Sequence, residues 1–501
     1  MSRQIPTPSG KDARPSLTTD SPHDNELSSD PLAPPTPAQR ILPFIVGCAL
    51  LMQMLDSTVV TTALPAMALD LGSDPISMNI TITSYLIAVA VFVPISGWAA
   101  DRYGARRVFI AAIALFSLSS LTCALSNSLM QLVISRVIQG LGGAMMVPVG
   151  RIILLRTIPK HNLLKAMALL SMPALIGPMA GPPLGGLLVT YASWHWIFLI
   201  NIPIGMLGIW LIMRYVKEPP APLKLPRLDL VGFLLSAVCM AALVGGFESL
   251  GQGGPAPWIS IAIISTGLIT GYLYVLHARR HPNPILDLSL LRIQSFRAAV
   301  LAGNLCRFGV GATPYLLALL LQIGFGMTAL AAGLITFVGA IGSLLMKFAA
   351  PRILNRWGYR HVLTINAVLT GISLAACASF TPEMPALIML GILLIGGFFR
   401  SLQFTAVNTL AYADISQAGM SRASSFAAMA QQLGISLGVG VAAESLSLSM
   451  AWRGADTLIA ADVMVGFVVI GTLCALASFS FWKLSPSAGE SLRQRKTSST
   501  T

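Results

Sequence analysis

Apolar segments of membrane-spanning length recur along almost the whole chain, and this pattern limits the fold more than any other feature of the sequence. They occur between Ile41 and Trp482, and each approaches the length of about 20 residues that a helix needs to cross a hydrocarbon core about 30 Å thick. Only 10% of the residues are charged, compared with about 25% in soluble domains. Because a backbone in lipid must satisfy its own hydrogen bonds, we expect an all-α integral membrane protein.

Breaks between the apolar segments predict fourteen transmembrane helices. Their expected positions are residues 41–63, 80–98, 108–125, 129–149, 164–189, 196–215, 230–248, 258–277, 298–323, 328–348, 361–379, 386–407, 424–449 and 461–482. With this count, odd-numbered helices cross the membrane in one direction and even-numbered helices in the other. Both ends of the chain then lie on the same side of the membrane.

Lysine and arginine residues divide unequally between the two sides of these helices. One set of alternate loops, together with the chain ends, holds 28 of the 32, whereas the opposite loops hold only Arg453. This count places Arg151 and Lys347 in loops. Because cytoplasmic loops carry an excess of Lys and Arg, both termini are predicted to be cytoplasmic. The net charge of +13 therefore reflects topology, and no nucleic-acid partner is expected.

The two ends of the chain differ in composition from the membrane region. Residues 1–39 are rich in Pro, Ser, Thr and Asp, which predicts a disordered cytoplasmic tail. They lack the basic, apolar and small-residue order of a cleavable signal peptide. Residues 485–501 are also polar and predict a second cytoplasmic tail. The six cysteines are isolated within apolar segments, so we expect packing roles for them and no metal site.

An internal repeat relates two cytoplasmic loops. Residues 101–108 and 355–362 agree at five of eight positions, by identity or by aromatic for aromatic. The offset is eight spans, which predicts a 6+2+6 arrangement: an N-terminal half at 40–216, two additional helices with their loops at 217–297, and a C-terminal half at 298–484. Many secondary transporters are built from such repeats around a midplane site. The alternative is that any tight cytoplasmic turn favours Arg and Gly.

The first of these loops combines glycines with charged residues. The candidate residues of a conformational latch are Gly97, Asp101, Arg102, Gly104, Arg106 and Arg107. The glycines permit a tight turn and close approach of helices, whereas the carboxylate and the guanidinium groups can form charge pairs that change between conformers. The alternative is that the arginines only anchor the topology.

Three predicted spans carry unusual polar or small residues. The first contains Asp56, and the fourth contains Arg136 followed by Gln139. The fifth contains a motif of small residues and proline: Gly177, Gly181, Pro182, Gly185 and Gly186. Small residues at such spacing permit backbone contact between helices, and prolines bend them. The alternatives are a purely structural arginine and plain packing of the glycines.

Together these segments resemble the motifs of the major facilitator superfamily, and in particular its fourteen-span drug:proton antiporter branch of the bacterial EmrB/QacA type. The resemblance covers nearly the whole chain from Ile41 to Trp482. Two positions depart from the family pattern, since Ala99 stands where Leu is usual and Thr61 replaces a customary Asn. The resemblance implies a major facilitator fold with pseudo-symmetric halves in the cytoplasmic (inner) membrane.

The function that this resemblance implies is proton-coupled export of lipophilic drugs or toxic small molecules. Its partners would be a small-molecule substrate, protons and the lipid bilayer, with the proton gradient as driving force and no cofactor. A proton-coupled or facilitative transporter of a specific metabolite on the same fold is the alternative, and a membrane enzyme or sensor is a third. The sequence contains no phosphate-binding P-loop, zinc-protease or serine-hydrolase motif, so we do not expect an enzyme.

Asp56 and Arg136 are the candidate proton-coupling residues. At 1.5 Å per residue, both lie at a similar depth within about one helical turn. A conformer that separates them would favour proton uptake by the carboxyl group, because a buried carboxylate needs a countercharge, and a conformer that joins them would favour release. The alternative is that Asp56 only packs or caps.

The C-terminal half supplies the candidate residues of a substrate cavity. They are Arg307, Arg400, Asn304, Gln403, Asn408 and Gln431. Charge inside a membrane is unfavourable unless it faces a partner or a water-filled cavity, and we expect these side chains to face one. Each of the two arginines taken alone can also be structural.

Overall fold

The computed structural model describes residues 37–73, 78, 80–218, 227–251, 257–455 and 457–492. It is helical, and the described residues contain no β-strand. The predicted tails lie largely outside these residues. The principal helices are α1 Pro37–Asp70, α2 Ile80–Tyr103, α3 Ala105–Ala124, α4 Leu129–Thr157, α5 Lys160–Tyr191, α6 His195–Tyr215, α7 Leu230–Gly251, α8 Pro257–Arg280, α9 Gln294–Gly324, α10 Ala329–Trp357, α11 Tyr359–Ser379, α12 Ala386–Leu410, α13 Met420–Arg453 and α14 Ala460–Trp482.

Thirteen of these helices are long and apolar enough to cross a membrane by their length and composition. The remaining one, α5, is 32 residues long and packs along α1. Large apolar side chains such as Trp210, Leu268 and Phe348 point outward and are more than half exposed. Water would disfavour such a surface and lipid tails favour it, so the chain is a multi-pass membrane protein.

The helix pairs that pack together in α1–α6 recur eight helices later in α9–α14. We call these groups the N-terminal half and the C-terminal half. The pairs α1–α5, α2–α4, α3–α4, α3–α6 and α1–α6 correspond to α9–α13, α10–α12, α11–α12, α11–α14 and α9–α14. The sequence repeat therefore has a counterpart in how the helices pack.

Equivalent turns in the two halves use glycine in the same way. Gly104 lies between α2 and α3 with a φ of +92°, and Gly358 lies between α10 and α11 with a φ of +76°. Residues with a Cβ atom rarely adopt positive φ, so a glycine at each position permits a break of one residue between two long helices. These are the glycines of the repeated loop motif.

The two halves are joined by hydrogen bonds near the end of the bundle at which these turns lie, which we call the basic end. The hydroxyl groups of Ser96 and Ser425 are 2.9 Å apart. Ser424 donates to the carbonyl oxygen of Pro148 at 3.0 Å. Lys160 donates to the carbonyl oxygen of Ala413, also at 3.0 Å. The basic end is therefore closed between the halves in this conformation.

Helices α7 and α8 form a pair of their own, and α7 also contacts α2 and α13. Asp229 caps the start of α7 by accepting from the Gly232 N–H at 2.8 Å, and it pairs with His277 of α8 at 2.8 Å. Burial acts to raise the pKa of the Asp229 carboxyl group, but these hydrogen bonds outweigh it and the pKa lies below its ordinary value. The capping carboxylate thus ties the two helices together.

Two basic residues that the topology count assigned to loops are buried inside helices. Arg151 is part of α4, which continues to Thr157, and its side chain is only 6% exposed. Lys347 is part of α10 and is 2% exposed. Assignment to a loop was wrong for both residues. Arg151 follows the predicted span 129–149 and α4 extends beyond that apolar segment, whereas Lys347 falls at the end of the predicted span 328–348 and α10 continues to Trp357. The remaining loop charges still fall mostly on one side.

Candidate functional site

Asp56 of α1 and Arg136 of α4 form a completely buried ion pair. Arg136 Nη1 donates to Asp56 Oδ2 at 2.5 Å, and the two side chains are 0% exposed. The chain therefore brings the two predicted residues into direct contact at the same depth. A pair buried in this way avoids the large unfavourable free energy of an isolated charge in a medium of low dielectric.

Neutral polar side chains complete the surroundings of this pair. Gln139 Nε2 donates to Asp56 Oδ1 at 2.9 Å, and Gln139 Oε1 accepts from Arg136 Nη1 at 2.6 Å. Asn201 of α6 donates to Asp56 Oδ1 at 3.3 Å, and Ser120 of α3 accepts from Gln139 at 2.7 Å. A movement of α1, α3, α4 or α6 would change the set of hydrogen bonds that holds the carboxylate.

Arg136 is also packed against α2. Its Nε donates to the carbonyl oxygen of Thr81 at 3.1 Å, and its guanidinium carbon lies 4.3 Å from the centre of the Tyr85 ring, a cation–π geometry. Gly140 permits this approach, since a Cβ atom there would lie 2.6 Å from the Cβ of Ala88. The small residues after Arg136 therefore allow α2 to cover it.

The glycines of the α5 motif face α1 next to Asp56. A Cβ atom on Gly177 would lie 2.5 Å from Met54 Cβ, and one on Gly181 would overlap the side chain of Thr58. Gly185 is equally close to Thr62, whereas Gly186 has open space around it. Backbone contact with α1 thus explains three of the glycines. The side chain of Pro182 lies outside the part of the chain that is described.

The candidate latch joins the halves through a residue that the motif does not contain. Asp101 Oδ1 accepts from Arg156 of α4 at 2.6 Å and from Ser421 of α13 at 2.6 Å. A Cβ atom on Gly97 would lie 2.6 Å from the carbonyl oxygen of Ser421, so glycine permits this contact. Asp101 therefore pairs with Arg156 and not with an arginine of its own loop.

The three loop arginines have other surroundings. Arg106 donates to the Met213 carbonyl oxygen of α6 at 2.8 Å, and its backbone N–H donates to Glu218 at 3.2 Å. Arg102 and Arg107 line a groove between α2, α3 and α4 at the basic end. Arg106 therefore holds α3 and α6 together, and Arg102 and Arg107 face the groove. All three lie within the N-terminal half and do not bridge the halves in the contacts described.

The candidate cavity residues of the C-terminal half fall into two groups. Asn304 and Asn408 accept from Arg307 at 3.0 and 2.8 Å. Arg400 and Gln403 line a small cavity together with Arg307. Gln431 lies apart from this cavity, at the boundary between the halves, where it accepts from Arg151 at 3.3 Å.

Several residues of these sites were not selected from the sequence. Asn201, Ser120 and Arg156 contact the candidate residues directly, and Lys347 donates to Thr405 at 2.7 Å inside the C-terminal half. Their common signal is a polar side chain within or next to an apolar helix, which the sequence displays at many positions. Only the packing separates the few that reach a charged partner from the rest.

Comparison with known proteins places the chain among membrane transporters. The family model of the Major Facilitator Superfamily matches residues 46–439 and 299–499. Proteins titled "Putative multidrug resistance protein MdtD" from Salmonella heidelberg and Salmonella newport are each 40% identical over 407 residues, which cover 81% of this chain and 86% of the relative.

Solved structures support the same fold. The human organic anion transporter MFSD10 (TETRAN) aligns with a TM-score of 0.66 at 18% identity, covering 90% of this chain and 100% of that chain. The proton:xylose symporter XylE bound to 6-bromo-6-deoxy-D-glucose aligns with a TM-score of 0.62 at 14% identity, covering 90% and 97%. With the repeated helix packing and the extensive family match, these likenesses show that the chain belongs to the major facilitator superfamily.

Proposed function

We propose that this protein exports lipophilic small molecules across the cytoplasmic membrane in exchange for protons. The observation that carries the proposal is the buried Asp56–Arg136 pair, which lies between α1 and α4 and beside the contact of α5 with α1. An ionisable pair inside a membrane bundle is typical of proton and solute pathways. Membership of the superfamily identifies the chain as a transporter, and a catalytic role is not expected.

The proposed coupling alternates between two arrangements of the pair. In the conformation described here the pair is joined and the carboxylate is fully hydrogen-bonded. A conformer that moves α1 away from α4 would leave a buried carboxylate without its countercharge, and protonation would stabilise that conformer. Cargo that binds only one conformer then exchanges for the proton, because a ligand shifts a two-state equilibrium by its difference in affinity.

The closed basic end supports an alternating-access cycle. Asp101, Arg156 and Ser421 bond the halves there, and these bonds would have to break before the cavity opens on that side. We infer that the basic end is cytoplasmic, so this conformation is closed to the cytoplasm. The names of the Salmonella relatives support multidrug efflux as the direction and type of transport.

We further propose fourteen spans arranged 6+2+6, with both termini in the cytoplasm, as in the fourteen-span drug:proton antiporter branch. The repeated helix pairs on either side of α7 and α8 support this arrangement. Reporter fusions after residues 74, 253 and 456 should be external, and fusions after residues 160, 222 and 490 should be internal. Inverted results at any two of these sites would contradict the topology.

Drug susceptibility in cells that lack their own efflux pumps tests the function. Cells that express the protein should tolerate higher concentrations of several lipophilic compounds, and a compound that dissipates the proton gradient should abolish the difference. Vesicles that contain the protein and hold a proton gradient should release protons when cargo is added. Tolerance that survives loss of the gradient would contradict proton coupling, and equal tolerance with and without the protein would contradict drug export.

A further inference from the structure

Two arginines in the interior of the C-terminal half have no carboxylate among their described contacts. Helices α9 to α12 contain no Asp or Glu anywhere in their sequences, yet Arg307 is only 4% exposed. Its hydrogen-bond partners are neutral oxygens of Asn304, Asn408 and Ala299, and its Nε is buried with no partner within the described residues. Neutral acceptors satisfy single N–H groups but do not neutralise the charge.

A second guanidinium group meets Arg307 at a small cavity between α9, α11 and α12. Arg400 lines this cavity, and its Nη1 is buried and lacks a hydrogen-bond partner within the described part of the chain. Gln403 also lines it, and its Nε2 donates to the weak acceptor Cys306 Sγ at 3.5 Å and makes a long contact, also at 3.5 Å, to the Leu363 carbonyl oxygen. Three donor groups therefore meet at one cavity that holds no acidic residue.

The size of the cavity limits what it can hold. The cavity has a volume of about 10 Å³, which is room for about one water molecule, whereas a pocket for a drug-sized ligand has about 300–1,000 Å³. A water molecule would accept from the open N–H groups but would leave two like charges close together in a medium of low dielectric. An anion satisfies the donors and also neutralises charge.

We propose that the cavity lined by Arg307, Arg400 and Gln403 is a binding site for a small anionic group. The group is either a free halide-sized ion or the acidic end of a cargo molecule. The free-ion form is independent of the transport function, whereas the acidic-cargo form rests on the function proposed above. In both forms the anion supplies the negative charge that Asp56 supplies in the N-terminal half.

Thermal unfolding of the purified full chain in nanodiscs tests this proposal without any transport reaction. Sodium chloride is compared with sodium gluconate at equal ionic strength, so that screening is constant while a small ion is exchanged for a bulky polyhydroxylated one that exceeds the size of the cavity. Sodium benzoate and benzamide form the second comparison, since they differ in the acidic group. An anion that binds only the folded state raises the unfolding temperature with its concentration, and we expect a rise of at least about 2 °C.

Three variants connect the effect to the cavity. In Arg400→Gln and in Arg307→Gln, the anion should no longer raise the unfolding temperature. In gluconate, the unfolding temperature of both variants should be no lower than that of the unchanged protein, because each substitution removes a buried charge without a countercharge. Arg352→Gln is the matched control, since Arg352 is exposed in α10 and should keep the full rise.

The outcomes separate the two sources of the anion. A rise with chloride in the absence of cargo assigns the site to a free ion. A rise with benzoate but with neither chloride nor benzamide assigns it to an acidic cargo group. Equal unfolding temperatures in all four solutions, or a rise that persists in both cavity variants, would overturn the proposal. Anion binding without drug transport would contradict the proposed function and leave the anion site standing.

Discussion

The two halves of this protein bury arginine in opposite ways. In the N-terminal half, Arg136 is in contact with a carboxylate, and five helices contribute to the hydrogen bonds around the pair. In the C-terminal half, Arg307 has only neutral hydrogen-bond partners, and the described lining of the cavity that it shares with Arg400 contains no carboxylate. The halves share their helix packing but not their balance of charge.

This difference indicates a division of tasks on a repeated scaffold. In the proposed mechanism, a balanced pair would change its protonation if its geometry changed, which suits coupling to protons. An unbalanced cation attracts a ligand of opposite charge, which suits recognition. The following experiments test whether the two halves separate these tasks, in order of decreasing expected effect.

Removal of the carboxylate in the N-terminal half should give the largest effect. We expect Asp56→Asn, at matched membrane abundance, to abolish cargo-induced proton release and gradient-driven efflux, because the amide cannot exchange a proton. Measurement of both activities in vesicles checks this. Glu444→Gln is the control, since Glu444 is exposed on α13 and should retain transport. Near-normal antiport in Asp56→Asn would contradict the mechanism.

Removal of a single arginine should affect the stability of the halves differently. Arg136→Gln leaves Asp56 buried without its countercharge, and breaking a buried pair costs about 3–5 kcal/mol. Arg307→Gln leaves neutral amide acceptors behind, which costs about 1–3 kcal/mol, but it also removes a buried charge that has no countercharge. These effects oppose each other, so any net loss of stability should be smaller than that of Arg136→Gln in a solution without small anions. Unfolding in nanodiscs measures both changes.

The double variant Asp56→Asn/Arg136→Gln sharpens this test. It removes both charges, so its unfolding temperature should lie closer to that of the unchanged protein than that of Arg136→Gln does. If Arg136→Gln and Arg307→Gln destabilised the protein equally, the contrast between the halves would be wrong.

The contact of α5 with α1 should depend on which glycine is enlarged. Gly181→Leu places a side chain against Thr58, and overpacking of this kind costs about 1–3 kcal/mol. It should also impair coupling, since it displaces α1 near Asp56. Gly186→Leu introduces the same side chain into open space and should be nearly neutral in both unfolding and efflux assays. Equal effects of the two substitutions would show that the glycines of the α5 motif do not act through their contact with α1.

The smallest expected effect concerns cargo charge. Because the cavity residues Arg307 and Arg400 are cationic and like charges repel strongly in a medium of low dielectric, neutral or anionic compounds should be preferred to permanent dications. Competition between matched compounds of different charge in vesicle transport measures this preference, and Arg400→Gln should weaken it. Permanent dications as the best cargo would contradict the assignment of recognition to the C-terminal half.

Much of the fold follows from the sequence because membrane helices obey simple rules. Apolar length predicts where helices lie, and the repeated loop predicts equivalent turns, in which Gly104 and Gly358 both have a positive φ. The contact of Asp56 with Arg136 was also within reach, since both are ionisable, lie inside apolar segments and have similar depth. Their role in proton coupling stays a prediction.

Other parts of the sites depend on information that the sequence does not display. Arg151 was assigned to a loop because hydropathy cannot distinguish a helix that ends from one that continues into a polar, protein-lined interior. Lys347 lies at the end of its predicted span, where hydropathy does not show whether a lysine faces a loop or the protein interior. Arg156 could not be selected as the partner of Asp101, since three nearer arginines compete for it in the sequence. Tertiary packing makes these choices, and it acts between residues that are far apart in the chain.

The position of α7 makes the two sides of the bundle unequal for a molecule that arrives through the bilayer. Met240 and Val244 of α7 pack with Ala90 of α2 and with Met429 and Leu433 of α13. Protein therefore covers this lateral seam between the halves, whereas on the other side α5 and α10 meet directly. Two halves that resemble each other in packing thus present different surfaces to lipid. A lipophilic compound dissolved in the membrane meets an additional helix, α7, at one boundary between the halves and the direct contact of α5 with α10 at the other.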